Sequence, residues 1–292
     1  MRAPRFLLVL APCAALGCGL SEGGSVGAGP DDAGLDGTFF DAAGGDASDG
    51  VDALFDAGPD VAVDAGDAGC PKTLAGPALV LAGDFCVDET EVTKAQYDRF
   101  LLAVADAGVP PLSPQCGWNK TLSDLTPSGW DPGSSASNPV TGVDWCDAYT
   151  YCAWAKKRLC GARAGGALAA ATASNDTQSQ WYDACSKGGT RTWAYGNTWD
   201  SAKCQDDAFI LGGVADVKSN AQCEGGYSGL FDMTGNASEW IDQCDGPGKS
   251  DDCVTQGGNY GSNDSAAQCD AQEKATRDHD TGDWLGIRCC WP

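Results

Sequence analysis

Histidine is almost absent from this sequence. His279 is the only one among 292 residues, and it stands in the polar segment Arg277-Asp278-His279-Asp280. Cys-x-x-Cys pairs are absent as well, so the usual ligands of a zinc site are missing. A Ser-His-Asp or Cys-His catalytic pairing would have to use this single histidine. We interpret His279 as a solvated loop residue, and the sequence disfavours zinc and histidine-dependent catalysis.

Basic residues are scarce. The chain has 18 Lys and Arg against 41 Asp and Glu, a net charge of −23. Residues 1–17 carry two arginines and residues 18–69 carry twelve acids, which leaves −13 for residues 70–292. Such an acidic body disfavours nucleic acid and anionic lipid as partners, because like charges repel. Cations, neutral sugars and basic proteins remain compatible with it.

A long hydrophobic run is also missing. Residues 6–16 are apolar and uncharged, but they are too few to cross a bilayer as a helix. Arg2 and Arg5 precede this run, which ends in the motif Ala15-Leu16-Gly17-Cys18. The pattern predicts a signal peptide at residues 1–17 and lipidation of Cys18, and therefore an exported lipoprotein anchored in a membrane and facing the periplasm or cell surface. Simple cleavage near the same place is the alternative, and a buried N-terminal helix of a cytosolic protein is a third interpretation.

The next segment, residues 18–69, has a strongly biased composition. After Cys18 it is dominated by Asp, Ala and Gly, with repeats such as Asp56-Ala57-Gly58, and it contains no Lys or Arg. It has too few large apolar residues to offset the entropy of ordering it, and its charges repel one another. We predict a disordered acidic tether that holds the following domain away from the membrane.

Cysteine is abundant in the remaining part, residues 70–292. Fourteen of the 16 cysteines lie there, an even number spread along the segment. In an exported protein this pattern favours up to seven disulfides, although the sequence does not reveal which cysteines pair.

The secondary structure predicted for residues 70–292 is α+β and rich in loops. Asp144 caps a helix that starts at Trp145 and has apolar residues at helical spacing, with the basic residues 156–158 expected in its last turn. A second helix is predicted at residues 178–186, before a Gly-Gly stop. The stretch 161–175 between them is rich in Ala, Gly and polar residues and is expected to be a surface insertion. One domain of 223 residues is a plausible size.

Eight short motifs then occur in an order typical of one family. They are Gly83-Asp84-Phe85, Glu91-Val92-Thr93-Lys94, Asn138-Pro139-Val140, Lys157-Arg158-Leu159, Tyr195-Gly196-Asn197, Gly229-Leu230-Phe231-Asp232, Gln256-Gly257-Gly258-Asn259 and Gly286-Ile287-Arg288. Together they resemble the sulfatase-modifying factor family, which includes the formylglycine-generating enzymes, over nearly all of residues 70–292. The resemblance implies a single disulfide-rich, C-type-lectin-like domain. Two departures are Cys160, where the family has proline, and the 161–175 insertion.

The resemblance also implies where catalysis would occur. The family's oxidases hold copper with two cysteines, four and nine residues after the second glycine of a Gly-Gly motif. Counted from Gly258, these positions are Ser262 and Ala267, which cannot supply the thiolates that Cu(I) needs. Cys269 could restore one sulfur if the alignment slipped, but we expect it to be a structural half-cystine. The sequence therefore argues against copper.

A calcium site is a further implication of the resemblance. Asp232, Gly235, Ala237 and Glu239 match the positions that hold a structural calcium in the family, with Asp232 in place of the common asparagine. Oxygen ligands from two acids and a glycine-containing turn suit calcium. The alternative is an ordinary turn flanked by two acids.

These observations predict a non-catalytic lipoprotein whose domain binds an unknown protein, peptide or glycan ligand. Ser262, Asn263 and Asp264 would line the recognition groove. The alternative is an active family enzyme, either a formylglycine-generating oxidase or an enzyme of different chemistry, using Cys269 or other residues. A carboxylate-only hydrolase is also open, but the spacing of the acids selects no pair. We further expect Arg288 to form a buried ion pair, and Trp240 and Trp284 to belong to the core.

Overall fold

The computed structural model describes residues 69–133, 135–169, 171–175, 177–204, 212–280 and 282–292. The predicted signal peptide, the lipidation site at Cys18 and almost all of the predicted tether lie outside the described residues. Within the described part of the chain, no helix combines the length and the apolar character needed to cross a membrane.

Three α-helices are capped by their own side chains. Helix α1 (Lys94–Ala107) begins after Thr93, and α2 (Trp145–Trp154) begins after Asp144; both N-caps form reciprocal capping boxes with the third helical residue. Helix α3 (Gln180–Ser186) begins after Ser179, whose hydroxyl accepts a hydrogen bond from the backbone N–H of Tyr182. Short 3-10 helices lie at Pro114–Cys116 and Ala221–Cys223.

In the described part of the chain, eight short strands form two sheets of four strands each. The strands are β1 (Leu79–Ala82), β2 (Phe85–Asp88), β3 (Arg158–Leu159), β4 (Ser238–Cys244), β5 (Asp252–Gln256), β6 (Gln272–Thr276), β7 (Leu285–Gly286) and β8 (Cys289–Trp291). The first sheet has the order β1-β2-β8-β3 and is antiparallel throughout. The second has the order β6-β5-β4-β7, in which only β4 and β7 are parallel.

Strand β8 connects the two hydrophobic cores of the domain. Adjacent side chains of a strand point to opposite faces, so Cys289 and Cys290 enter different cores. Cys289 is bonded to Cys152 in the core beneath α1 and α2, and Cys290 is bonded to Cys160 in the core beside α3. A short C-terminal strand is thereby covalently fixed between two helical regions.

The structure confirms a mixed α and β domain rich in disulfides, and it corrects several details. Helix α2 ends at Trp154, so the basic residues 156–158 lie beyond it, and Arg158 begins β3. Helix α3 begins at residue 180 instead of 178, because Ser179 is its cap. The stretch 161–175 is not wholly a surface insertion, since Leu168 and Ala173 are buried in the second core.

Candidate functional site

The loop after β5 contains both positions at which the family's copper-binding cysteines would stand. Ser262 is only 6% exposed; its Oγ accepts a hydrogen bond from Asn259 N at 2.9 Å, and its own N–H donates to Asn259 O at 3.0 Å. Ala267 is fully buried, and its N–H donates to Asn263 O at 3.0 Å. Both positions therefore face the interior, and neither supplies a soft metal ligand.

The three residues predicted to line a groove divide into two kinds. Asn263 and Asp264 are exposed, whereas Ser262 is buried and its hydroxyl is used inside the turn. The Asn263 side chain accepts hydrogen bonds from the backbone N–H groups of Ser265 and Ala266, at 3.2 and 3.0 Å. Asp264 Oδ1 also accepts from Ser265 N, at 2.8 Å. The exposed tip of the loop is therefore held in shape by its own side chains.

Cys269 is bonded to Cys185 of α3, which confirms that it is a structural half-cystine. Its backbone is held as well: its N–H donates to Thr192 O at 2.8 Å, and its carbonyl accepts from Gln256 Nε2 at 3.2 Å. The other twelve cysteines of residues 70–292 also form disulfides, which are 70–86, 116–146, 152–289, 160–290, 204–223 and 244–253. The described part of the chain thus has no free thiol.

Aromatic and acidic side chains of the segment 279–284 contact this loop or lie close to it in the chain. The Tyr260 hydroxyl donates to Asp283 Oδ1 at 2.8 Å, and burial and the charge of Asp283 raise the pKa of Tyr260. His279 lies with its ring centroid 6.3 Å from that of Trp284, and both are half-buried. His279 therefore lies in a loop, as predicted, but the prediction that it is solvated is wrong, because its ring packs against Trp284 and is half-buried.

A buried ion pair joins Arg288, which follows β7, to Glu239 of β4. Arg288 donates from Nε to both oxygens of Glu239, at 2.8 and 2.9 Å, and Trp181 Nε1 donates to Glu239 Oε2 at 2.6 Å. This confirms the buried pair predicted for Arg288. Trp240, next to Glu239, is fully buried as predicted, and Trp284 packs partly buried against the first core.

Two further carboxylates, those of Asp232 and Glu91, lie near the same guanidinium. Asp232 Oδ2 accepts from Lys218 N at 2.7 Å. Glu91 is fully buried, and its Oε2 lies 3.9 Å from Arg288 Nη2, with no hydrogen-bond partner among the described residues. Burial raises the pKa of Asp232 to about 6. Burial and the neighbouring charge of Asp232 raise the pKa of Glu91 well above its usual range. Glu239 makes the third carboxylate around one guanidinium.

This cluster contains two of the predicted calcium positions, Asp232 and Glu239, and both oxygens of Glu239 accept hydrogen bonds from Arg288. Asp232, Gly235 and Asn236 have φ angles of 58°, 79° and 55°, so the backbone makes a tight turn between Asp232 and Glu239. Among the described residues, no three His, Cys, Asp or Glu are grouped to hold a metal, so backbone carbonyls such as those of Gly235 and Ala237 would have to complete the ligand set. The oxygen of Glu91 that has no hydrogen-bond partner among the described residues is the observation that favours a cation here.

Glu91 is the residue of this cluster that sequence reasoning missed as part of a site. It belongs to the Glu91-Val92-Thr93-Lys94 motif, but nothing in the sequence places it beside Asp232, which is far away along the chain. The only local signal for Glu91 is that it immediately precedes the buried residue Val92.

Comparisons with known proteins agree with the motif order. A family model for the sulfatase-modifying factor enzyme 1-like domain matches residues 58–292. The formylglycine-generating enzyme of Bos taurus is 29% identical over 185 residues, covering 52% of this chain and 43% of that protein. The enzyme of Mus musculus is 28% identical over 187 residues, covering 53% and 44%. The chain thus spans less than half the length of these relatives.

Two solved structures are similar at lower identity. CarF is 20% identical with a TM-score of 0.48, covering 71% of this chain and 86% of that one. PvdO from Pseudomonas aeruginosa is 18% identical with a TM-score of 0.46, covering 70% and 79%. Because the family model spans most of the sequence, from residue 58 to the last residue, the chain belongs to the sulfatase-modifying factor enzyme 1-like domain family.

Proposed function

We propose that the chain is an exported lipoprotein, anchored through Cys18, whose domain binds a protein, peptide or glycan without the copper oxidation of the formylglycine-generating enzymes. The observation that carries this proposal is the lack of a thiol at the two cysteine positions, where Ser262 and Ala267 stand, together with the bonding of Cys269 to Cys185. Seven disulfides are typical of a domain that folds in an oxidising compartment outside the cytoplasm.

The chemistry of copper explains why these positions matter. Cu(I) is a soft ion that prefers thiolate and thioether ligands, which neither a hydroxyl nor a methyl group replaces. Cys269 would supply a sulfur only after reduction of its bridge, and it would supply one sulfur where two are needed. The exposed Asn263 and Asp264 remain as polar groups with which the loop tip could bind a ligand.

The first experiment counts alkylated cysteines in the purified chain, before and after mild thiol treatment in the presence of Cu(I). We expect no cysteine of residues 70–292 to react and no copper to be retained. If a pair containing Cys269 opened readily and retained copper, the non-catalytic assignment would be wrong.

The alternative is an active family enzyme, and the identity to two formylglycine-generating enzymes favours it. Its test is oxidation of a cysteine-containing sulfatase peptide. Formation of formylglycine by the native chain, lost in Cys269→Ser, would establish this alternative. Unchanged peptide would support binding without catalysis.

Membrane anchoring at Cys18 has a separate test. Metabolic labelling with a fatty acid should mark the chain, and Cys18→Ala should remove the label and release the chain from the membrane fraction. A labelled Cys18→Ala chain would contradict the proposal.

We also propose that Asp232, Gly235, Ala237 and Glu239 hold calcium. A ligand that binds only the folded state at a hundred times its dissociation constant stabilises it by about 2.7 kcal/mol. Calcium should therefore raise the melting temperature of the chain, and a chelator should reverse the effect. Asp232→Ala should abolish the response, whereas Asp232→Asn, which keeps a carbonyl oxygen, should retain most of it. An equal response in wild type and Asp232→Ala would contradict the proposal.

A further inference from the structure

A polar cavity of about 150 Å³ lies between Tyr182 of α3, the segment 189–197 that follows this helix, and Asp270 at the end of the loop that carries Cys269. The side chains that line it are polar and include three hydroxyls, one amide and two opposite charges. They belong to Tyr182, Thr190, Arg191, Thr192, Asn197 and Asp270. None of these residues was assigned a role above.

The walls of the cavity are fixed before any ligand arrives. The Cys185–Cys269 bridge joins α3 to the residue before Asp270. The Asn197 side chain joins two points of the other wall: its Oδ1 accepts from Thr192 N at 2.7 Å, and its Nδ2 donates to Thr190 O at 2.9 Å. A preformed pocket spares a ligand the entropic cost of ordering its site.

Three groups at this cavity have unused hydrogen-bonding capacity. The Asp270 carboxylate makes no hydrogen bond or ion pair with the described residues, although it lines the same cavity as Arg191. Arg191 uses only Nη1, which donates to Ala194 O at 2.7 Å, and so its other donors remain free. The Tyr182 hydroxyl has no partner among the described residues. Tyr182, Arg191 and the exposed Asp270 thus line one small space with polar groups that are free to bind a ligand.

The chemistry of these groups selects a neutral ligand with several hydroxyls. The opposite charges of Arg191 and Asp270 cancel, so the lining favours neither anions nor cations. A hydroxyl group both donates and accepts, and adjacent hydroxyls therefore match a carboxylate acceptor beside guanidinium and phenol groups. The Tyr182 ring provides an apolar surface for C–H groups. We infer that this cavity binds a single neutral sugar unit, and that Asp270 and Arg191 are its main polar contacts.

This site is distinct from the proposed groove, because it uses neither Asn263 nor Asp264. The probes are the methyl glycosides of glucose, galactose, mannose and N-acetylglucosamine, tested with the full chain by ligand-observed NMR and calorimetry. We expect at least one glycoside to bind. Asp270→Ala should weaken it at least about tenfold, as expected for loss of a hydrogen bond to a charged group. Tyr182→Phe, which keeps the ring, should weaken it less.

Glu273→Ala is the matched control. Glu273 is an exposed acid on β6, three residues after Asp270, and it does not line the cavity. Glu273→Ala and Asp264→Ala should bind the glycoside as wild type does. The inference is overturned if no glycoside binds, if Asp270→Ala binds equally well, or if free amino acids bind in place of sugars. Loss of binding in Asp264→Ala alone would place the sugar in the groove and also overturn it.

Discussion

Removing the Cys185–Cys269 bridge should destabilise the domain more than removing a short-range bridge. The two cysteines are separated by 84 residues, and the loop-entropy relation gives about 4.5 kcal/mol for a loop of this length. The Cys160–Cys290 bridge offers a shorter covalent path between the same points, so we expect a loss of about 4 kcal/mol in Cys185→Ala/Cys269→Ala. The reason is that the unfolded chain gains conformational freedom.

The matched control is Cys244→Ala/Cys253→Ala. That bridge closes a separation of nine residues, for which the same relation gives about 2.6 kcal/mol. The assay is urea unfolding without reductant, comparing the midpoint and slope of each double variant with those of the native chain. An equal loss in the two variants, or a larger loss in the control, would refute the entropic argument. Two reactive thiols at 185 and 269 in the native chain would refute the bridge itself.

Three further variants test other features. In Gly226→Ala, the added methyl group would collide with the backbone of Ala184, and the φ of Gly226 is 69°. We expect the free energy of unfolding to fall by about 3 kcal/mol or more. The control is Gly108→Ala, whose methyl group meets no atom, and there we expect a fall of about 1 kcal/mol. Burial raises the pKa of Asp242 to about 6, so the protonated form stabilises the domain below about pH 4, and this stability is lost as the pH rises through 6. Asp242→Asn should reduce the decline in melting temperature between pH 4 and 7. The free energy of unfolding that corresponds to this change is at most about 3 kcal/mol. A decline equal to that of the native chain would contradict this. Arg288→Met should lower the free energy of unfolding in urea by about 3–5 kcal/mol, because buried carboxylates lose their cation. A near-neutral effect would show that these carboxylates are protonated.

An N-cap residue followed by apolar residues at helical spacing predicts α2 well. The same two signals are present for α1, which was not predicted. Asp144 and the apolar spacing after it define where α2 begins. Thr93 with Gln96 forms an equally clear capping box, and the buried residues of α1 recur at helical spacing. Helix α1 could therefore have been predicted from sequence. The end of α2 could not, because its last turn is followed by pairing of β3 with β8, a contact of long sequence separation.

In the candidate site, motif spacing predicted which residues stand at the family's cysteine positions. The contacts between residues far apart in the chain could not be predicted in this way. Counting from Gly258 identifies Ser262 and Ala267, because motif spacing is a local property. The partner of Cys269 is 84 residues away, and an even number of cysteines is compatible with many pairings. The proximity of Glu91 to Asp232 likewise depends on how the strands assemble, which no local pattern encodes.

The loop at Ser262 is built for serine. Its Oγ accepts a hydrogen bond from Asn259 N at 2.9 Å, inside a turn where a side chain on Gly258 would lie 2.9 Å from that oxygen. Sulfur is larger than oxygen and accepts hydrogen bonds weakly, so a cysteine at 262 would have to open the turn or leave this N–H without a partner. Ala267 is buried with no exposed surface, so a larger side chain there would need room inside the domain. The turn around Ser262 and the buried Ala267 therefore each suit the side chain that is present.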